Sequence, residues 1–275
     1  MWYRIGCTML VWCCTSRRVF GFKPTYGLLD TTGIFLLSPS FDTAGFLAKS
    51  IRDIAMTMQA IGFENISPDP DEFGSLRFLT LADNPITGGA GLVDATRQWI
   101  AEQLDAPEIA HPKLGTRPVD FIKLYNVVRA SEALLIHEHF VASESENYQP
   151  STLARLKKGA HISDSYVVQA LSKIPVTNEQ YANVFAETDI LLSSTVPIEA
   201  PRLDEPGAGA EALMSQCIIW NILGWPALSI PYWVSDELLP KSIQVIGKPG
   251  KDADVLRAGK RIQQLLATQA SPLSF

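Results

Sequence analysis

Cysteine is scarce and poorly placed for any framework: the four cysteines fall as Cys7, Cys13 and Cys14 near the start and Cys217 alone in a later apolar segment. That excludes a disulfide-stapled domain and paired C-x-x-C metal ligands. Cys217 reads as a small buried hydrophobe, and a reducing, cytoplasmic setting is expected. Histidine is as sparse. His137 and His139 lie two apart on an expected helix and so point to nearly opposite faces, which excludes a shared metal ion. His111 and His161 have no acidic partner at a useful spacing. No metal and no cofactor are expected.

Positive charge is also short, with 23 Lys and Arg against 29 Asp and Glu and a net charge of −6. A nucleic-acid partner is therefore not expected, since its electrostatic footprint is missing. Long hydrophobic runs are absent as well. Ile5 to Cys14 is too short to span a bilayer. Only Arg4 precedes it, the pair Arg17-Arg18 lies on the wrong side, and no small-x-small cleavage site follows, so it is not read as a secretion signal. No membrane partner is expected. Gly88-Gly89-Ala90-Gly91 lacks both the G-x-G-x-x-G order and a Lys-Ser/Thr pair, so it reads as a turn into a helix rather than a phosphate loop.

What is present is an ordinary globular composition, 47% hydrophobic and 19% charged, enough for one core or two joined ones. Gly21 to Gly27 is rich in breakers and reads as a loop. A helix follows from Ser50, its cap, with Ile51, Ile54, Ala55, Met58 and Ile61 on one face, and Gly62 stops it. Strands are expected at Leu76 to Leu81, Val119 to Leu124, Asp189 to Thr195, Ala227 to Ile230 and Ser242 to Ile246. Helices are expected after Gly91, through Ala130 to Phe140, and over Thr152 to Leu171, Ala210 to Leu223 and Asp252 to Thr268. Another is expected over Thr177 to Glu187, where Thr177 and Gln180 form a capping box. Interleaved strands and helices imply an α/β fold, a mixed sheet flanked by helices.

Ser193-Ser194-Thr195 closes an apolar strand, a place where hydroxyls can meet a ligand, but no matching base accompanies it. The stretch Gly21-Phe22-Lys23-Pro24-Thr25-Tyr26-Gly27, then Gly33, then Ser40-Phe41-Asp42-Thr43-Ala44-Gly45 and Leu47 to Asp53 resembles the amidase signature family. Later blocks resemble it too: Asp189 to Pro197, Asn221 to Pro231, and Leu239-Pro240 with Gln244 to Gly247. Ser194, Leu238 and Ser242 replace a proline and two glycines of those blocks. Residues 21–275 are thus read as a partial amidase-signature domain and residues 1–20 as an unmatched segment, expected to come from a misjoined or frame-shifted coding segment, the alternative being that the chain is a decayed or repurposed fragment.

The resemblance implies hydrolysis of a small-molecule amide through an acyl-serine, with a lysine acting through a serine held in a cis peptide bond. By family spacing the lysine and that serine belong upstream of residue 1, and the nucleophile falls near Met9, where Gly6 to Trp12 holds no serine. Lys23 matches a structural lysine. The expectation is therefore no catalytic residue, substrate contacts at Ser194, Thr195 and Asn221, and an inactive amidase or a non-catalytic binding or scaffold protein derived from one. An incomplete sheet is also expected to expose a long edge and promote self-association.

Overall fold

Two phenylalanines at alternate positions, Phe20 and Phe22, decide the first element: both are buried, and Phe20–Lys23 is a strand (β1) rather than the loop suggested by its breakers. The computed structural model describes residues 19–67, 76–81, 95–109, 118–196, 210–232 and 241–268. β1 is held on both sides, by β2 (Phe46–Ala48) and by β6 (Ala227–Tyr232), so its glycine and the following proline do not prevent pairing. With β3 (Phe78–Leu81), β4 (Glu108–Ile109), β5 (Ile190–Ser194) and β7 (Lys241–Gly247) it forms one seven-stranded sheet in the order β2-β1-β6-β7-β5-β3-β4. Pairings from β2 through to β5 are antiparallel, and β5-β3 and β3-β4 are parallel, so the sheet is mixed as expected. Arg77 binds Asp189 through Nε at 3.1 Å and Nη2 at 3.2 Å, tying the approaches to β3 and β5 together at the surface.

Helices cover both faces. Ser50 caps α1 (Ile51–Ala60) by accepting from the Asp53 N–H, and Ile51, Ile54, Ala55 and Met58 are its buried stripe. Ile61 lies just past the helix and is exposed. Together with α9 (Asp252–Thr268), α1 packs on Phe20, Phe22, Ile190, Leu192, Leu228, Ile230, Ile243 and Val245. Burying a side chain of this size contributes about 1.5–3 kcal/mol. The other face carries Leu191, Ala227 and Ile246 against a second cluster that includes Phe121, Tyr125, Val128, Tyr181, Trp220 and Trp225.

Several boundaries differ from the sequence reading. After α2 (Ala95–Gln103), residues 118–143 form one helix, α3 (Pro118–Ser143), with no strand at Val119 to Leu124. Phe121, Tyr125 and Val128 recur at helical spacing on its buried side, and proline suits a first helical turn. The expected helix over Thr152 to Leu171 breaks into α4 (Pro150–Lys157), a 3-10 turn and α5 (Asp164–Leu171). The turn brings Gly159 against α3, where a Cβ would stand 2.2 Å from the Ala130 carbonyl oxygen. Next comes α6 (Lys173–Val184), which starts four residues before Thr177, so Thr177 donates back to the Lys173 carbonyl instead of capping. The helix expected over Ala210 to Leu223 is two short ones, α7 (Ala210–Ser215) and α8 (Ile218–Ile222). The Gly88 to Gly91 turn and the Gly6 to Trp12 stretch lie outside the described residues.

Candidate functional site

The two faces of the central strands differ in kind. On one face the rows across the strands are apolar, as in Leu192, Val245, Leu228 and Phe22. On the other, the row through Ser193, Gln244, Ser229 and Gly21 is polar, each residue standing opposite the next in register. Its three side chains are all buried. Such a segregated row is costly unless its groups find partners, which makes it the candidate to follow.

Part of the row is satisfied internally. Ser193 Oγ donates to Gln244 Oε1 at 3.2 Å, and the Thr195 and Ser229 hydroxyls lie 3.2 Å apart. Cys217, just before α8, donates its thiol proton to the Thr195 carbonyl at 2.9 Å. Burial pushes that thiol up to about 12, with the nearby Gln244 amide pulling slightly the other way. Asn221 follows one turn later, its N–H donating to the Cys217 carbonyl at 3.3 Å. Both side-chain atoms of Asn221, with Gln244 Nε2 and Gln216 Nε2, are buried without a hydrogen-bond partner among the described residues. Leaving such a group unpaired costs about 1–3 kcal/mol.

Of the three residues expected from the sequence, the structure brings Thr195 and Asn221 to this polar side, joined through Cys217. Ser194 falls in the row with Ile243 and Ile230, on the apolar face, because neighbouring strand residues point in opposite directions. Ser193 was named with its two neighbours as a strand-end hydroxyl but not chosen as a contact, and Ser229 and Gln244 were not singled out. Their signal was available in the alternation of polar and apolar residues along Lys241–Gly247, but reading it as a site requires the strand register.

Lys23 ends the neighbouring row, opposite Ala227. It is fully buried, and its amine donates to the Pro24 carbonyl at 3.2 Å. Desolvation lowers its pKa to about 7, against the opposing pull of Asp252. Asp252 in turn accepts from the Thr25 N–H at 2.8 Å and its hydroxyl at 2.6 Å, fastening the Lys23-Pro24-Thr25 segment to the start of α9. The Tyr26 N–H donates to the Gly224 carbonyl at 2.9 Å, while Ser38 and Ser40 donate to Glu132 on α3. Segments far apart in the chain are thereby tied together. His137 and His139 have other partners: His137 Nδ1 lies 2.7 Å from the Tyr148 hydroxyl, and the His139 ring packs edge-on against Phe140. Among the described residues no helix is long and apolar enough to cross a membrane.

Comparison with known proteins agrees with this architecture. The Amidase family pattern matches residues 14–74 and 109–256. A glutamyl-tRNA(Gln) amidotransferase subunit from Cenarchaeum symbiosum is 26% identical over 89% of this chain and 59% of its own length. The 2-amino-5-chloromuconic acid deaminase of Comamonas testosteroni is 27% identical over 90% of this chain and 56% of its own. A crystal structure of an amidase superposes with a TM-score of 0.83 at 23% identity, covering 96% of this chain and 62% of that one. The chain thus spans about three-fifths of the length of the relatives it matches.

Proposed function

The chain belongs to the amidase family, and from that premise we propose that its polar sheet face is the floor of a site for a small-molecule amide, in a protein whose parent reaction is amide hydrolysis through an acyl-serine. The observation that carries this reading is the buried row of Ser193, Gln244 and Ser229, linked through Thr195 and Cys217 to Asn221, whose side chain has no partner among the described residues. In the parent reaction a serine oxygen attacks the amide carbonyl, an amine or ammonia leaves, and water then releases the acid.

We also propose that this 275-residue chain binds without turnover. Attack needs a hydroxyl beside a base and donors for the oxyanion. The described hydroxyls of the row are bonded to each other, to Gln244 or to backbone, and the near-neutral amine of Lys23 is bonded to Pro24. Around Met9, where the resemblance calls for the nucleophile, the chain reads Gly6-Cys7-Thr8-Met9-Leu10-Val11-Trp12. A non-catalytic binding or scaffold role is the second reading, and an Asn221 amide without a partner among the described residues favours it. A reducing, cytoplasmic setting suits both, with Cys217 a free thiol.

A serine-directed fluorophosphonate probe tests the first reading. The purified chain should remain unlabelled while an active amidase run in parallel reacts. Covalent labelling of any serine, located by peptide mass spectrometry, would overturn the claim that no nucleophile is at work.

A further inference from the structure

Three helices enclose a cleft away from the sheet. Asp120, Lys123 and Val127 share one face of α3 by their spacing. Tyr166, Gln169 and Lys173 share another, because Ser172 keeps helical angles (φ −63°, ψ −16°) and carries the face of α5 over into α6. These two faces line a single cavity of about 70 Å³. One water needs about 10–15 Å³ of such space, so the cleft has room for a small organic molecule.

Its lining divides by polarity. Leu124 and Ala170 are buried and Val127 half-buried, packed with the second core cluster, and they make an apolar floor. Around it stand Lys123, Lys173, Tyr166 and Gln169, all able to donate hydrogen bonds. Asp120 is the single acid among the lining residues. It lies 3.8 Å from Lys123, while no carboxylate among the described residues pairs with Lys173. Two lysines against one aspartate leave one positive charge over, a local reversal of sign in a chain whose net charge is −6.

We propose that this cleft binds a small organic monocarboxylate, its charged head between Lys173 and Lys123 and its short hydrocarbon chain on Leu124, Val127 and Ala170. Gln169 and Tyr166 supply further donors to the head. A phosphate dianion fits less well, because Asp120 repels its second charge and nothing in it covers the apolar floor. A neutral amide brings no charge to Lys173. None of these residues belongs to the sheet, so the site stands or falls independently of the polar sheet face.

The test titrates the full chain with butyrate, butyramide and inorganic phosphate at constant pH and ionic strength and follows the Tm, for the wild type, Lys173→Met and Lys123→Met. Butyrate should raise the wild-type Tm along a saturating curve, while butyramide and phosphate should not. Lys173→Met should weaken the apparent affinity for butyrate at least about tenfold, the loss of one charge-assisted contact, and Lys123→Met should act in the same direction. Both lysines are exposed, so without ligand the variants should melt with the wild type. No shift with butyrate, an equal shift with butyramide or with phosphate, or a butyrate curve unchanged in both variants would each overturn the site. Fluorophosphonate labelling bears on turnover alone and leaves this result untouched.

Discussion

Holding a lysine amine in the sheet against a backbone carbonyl leaves stability tied to pH. The folded-state pKa of Lys23 falls to about 7 from the ordinary 10.5 because burial disfavours the charged amine. Between those values the unfolded chain keeps its proton and the folded chain releases it, so the unfolded state binds more protons and stability rises with pH. Below the folded value both states are protonated and the penalty is present in full. The Tm should therefore climb between pH 7 and pH 10, and Lys23→Met should remove most of that climb while raising the Tm at pH 7. Each pKa unit corresponds to ~1.4 kcal/mol, so half the displacement moves Tm by on the order of 5 °C in a chain of this size. Melting curves of both proteins across this range check it, and parallel pH profiles would refute it.

Residues of this kind mark the limit of what the sequence discloses. Thr195 and Asn221 could be singled out because they sit in blocks that resemble a family. Strand alternation separates Ser194 from Ser193, but nothing in one dimension shows that Ser193 and Gln244 stand opposite each other. Nor does composition show that Lys23 is buried: its neighbours Pro24 and Gly27 advertise a turn, and only the pairing of Phe22 with Leu228 and Phe46 reveals the strand.

Among the elements, the turn after α8 joins two segments that the chain keeps far apart. Gly224 adopts φ 72° and accepts from the Tyr26 N–H, and a Cβ there would stand 2.8 Å from Tyr26 Cβ. Gly27 has a similar φ of 76° with nothing within 4 Å of its would-be Cβ. The pair separates backbone strain from steric clash. Gly27→Ala should cost about 1 kcal/mol, the left-handed penalty alone, and Gly224→Ala about 2–4 kcal/mol, since Tyr26 must also move. Urea denaturation of the two variants measures the difference, and equal losses would show that the Tyr26 contact is easily relieved. The same scale explains the misread elements. Strongly periodic pieces such as α1 and α9 were legible, cap included. The start of α3 was not, because Val119-Asp120-Phe121-Ile122 satisfies a short strand and a buried helix equally well.

At the scale of the molecule, sheet edges decide whether the chain stays alone. The long bare edge expected from the sequence is not among the described strands: the outermost are β2, three residues, and β4, two residues. Short edges template little pairing, so edge-to-edge association should be weak rather than precipitous. The longer of the two, β2, buries Phe46 in the core shared with β1, while Leu47 alternates to the opposite face and is only half-buried. Paired in register with another copy, β2 would bring two such leucines together, and a lysine at that position would set like charges side by side. Light scattering over a hundredfold range of concentration should therefore show a mass that rises modestly for the wild type and stays constant for Leu47→Lys. A concentration-independent mass in the wild type would remove β2 as an interface, and an equal rise in both proteins would place the contact on another surface.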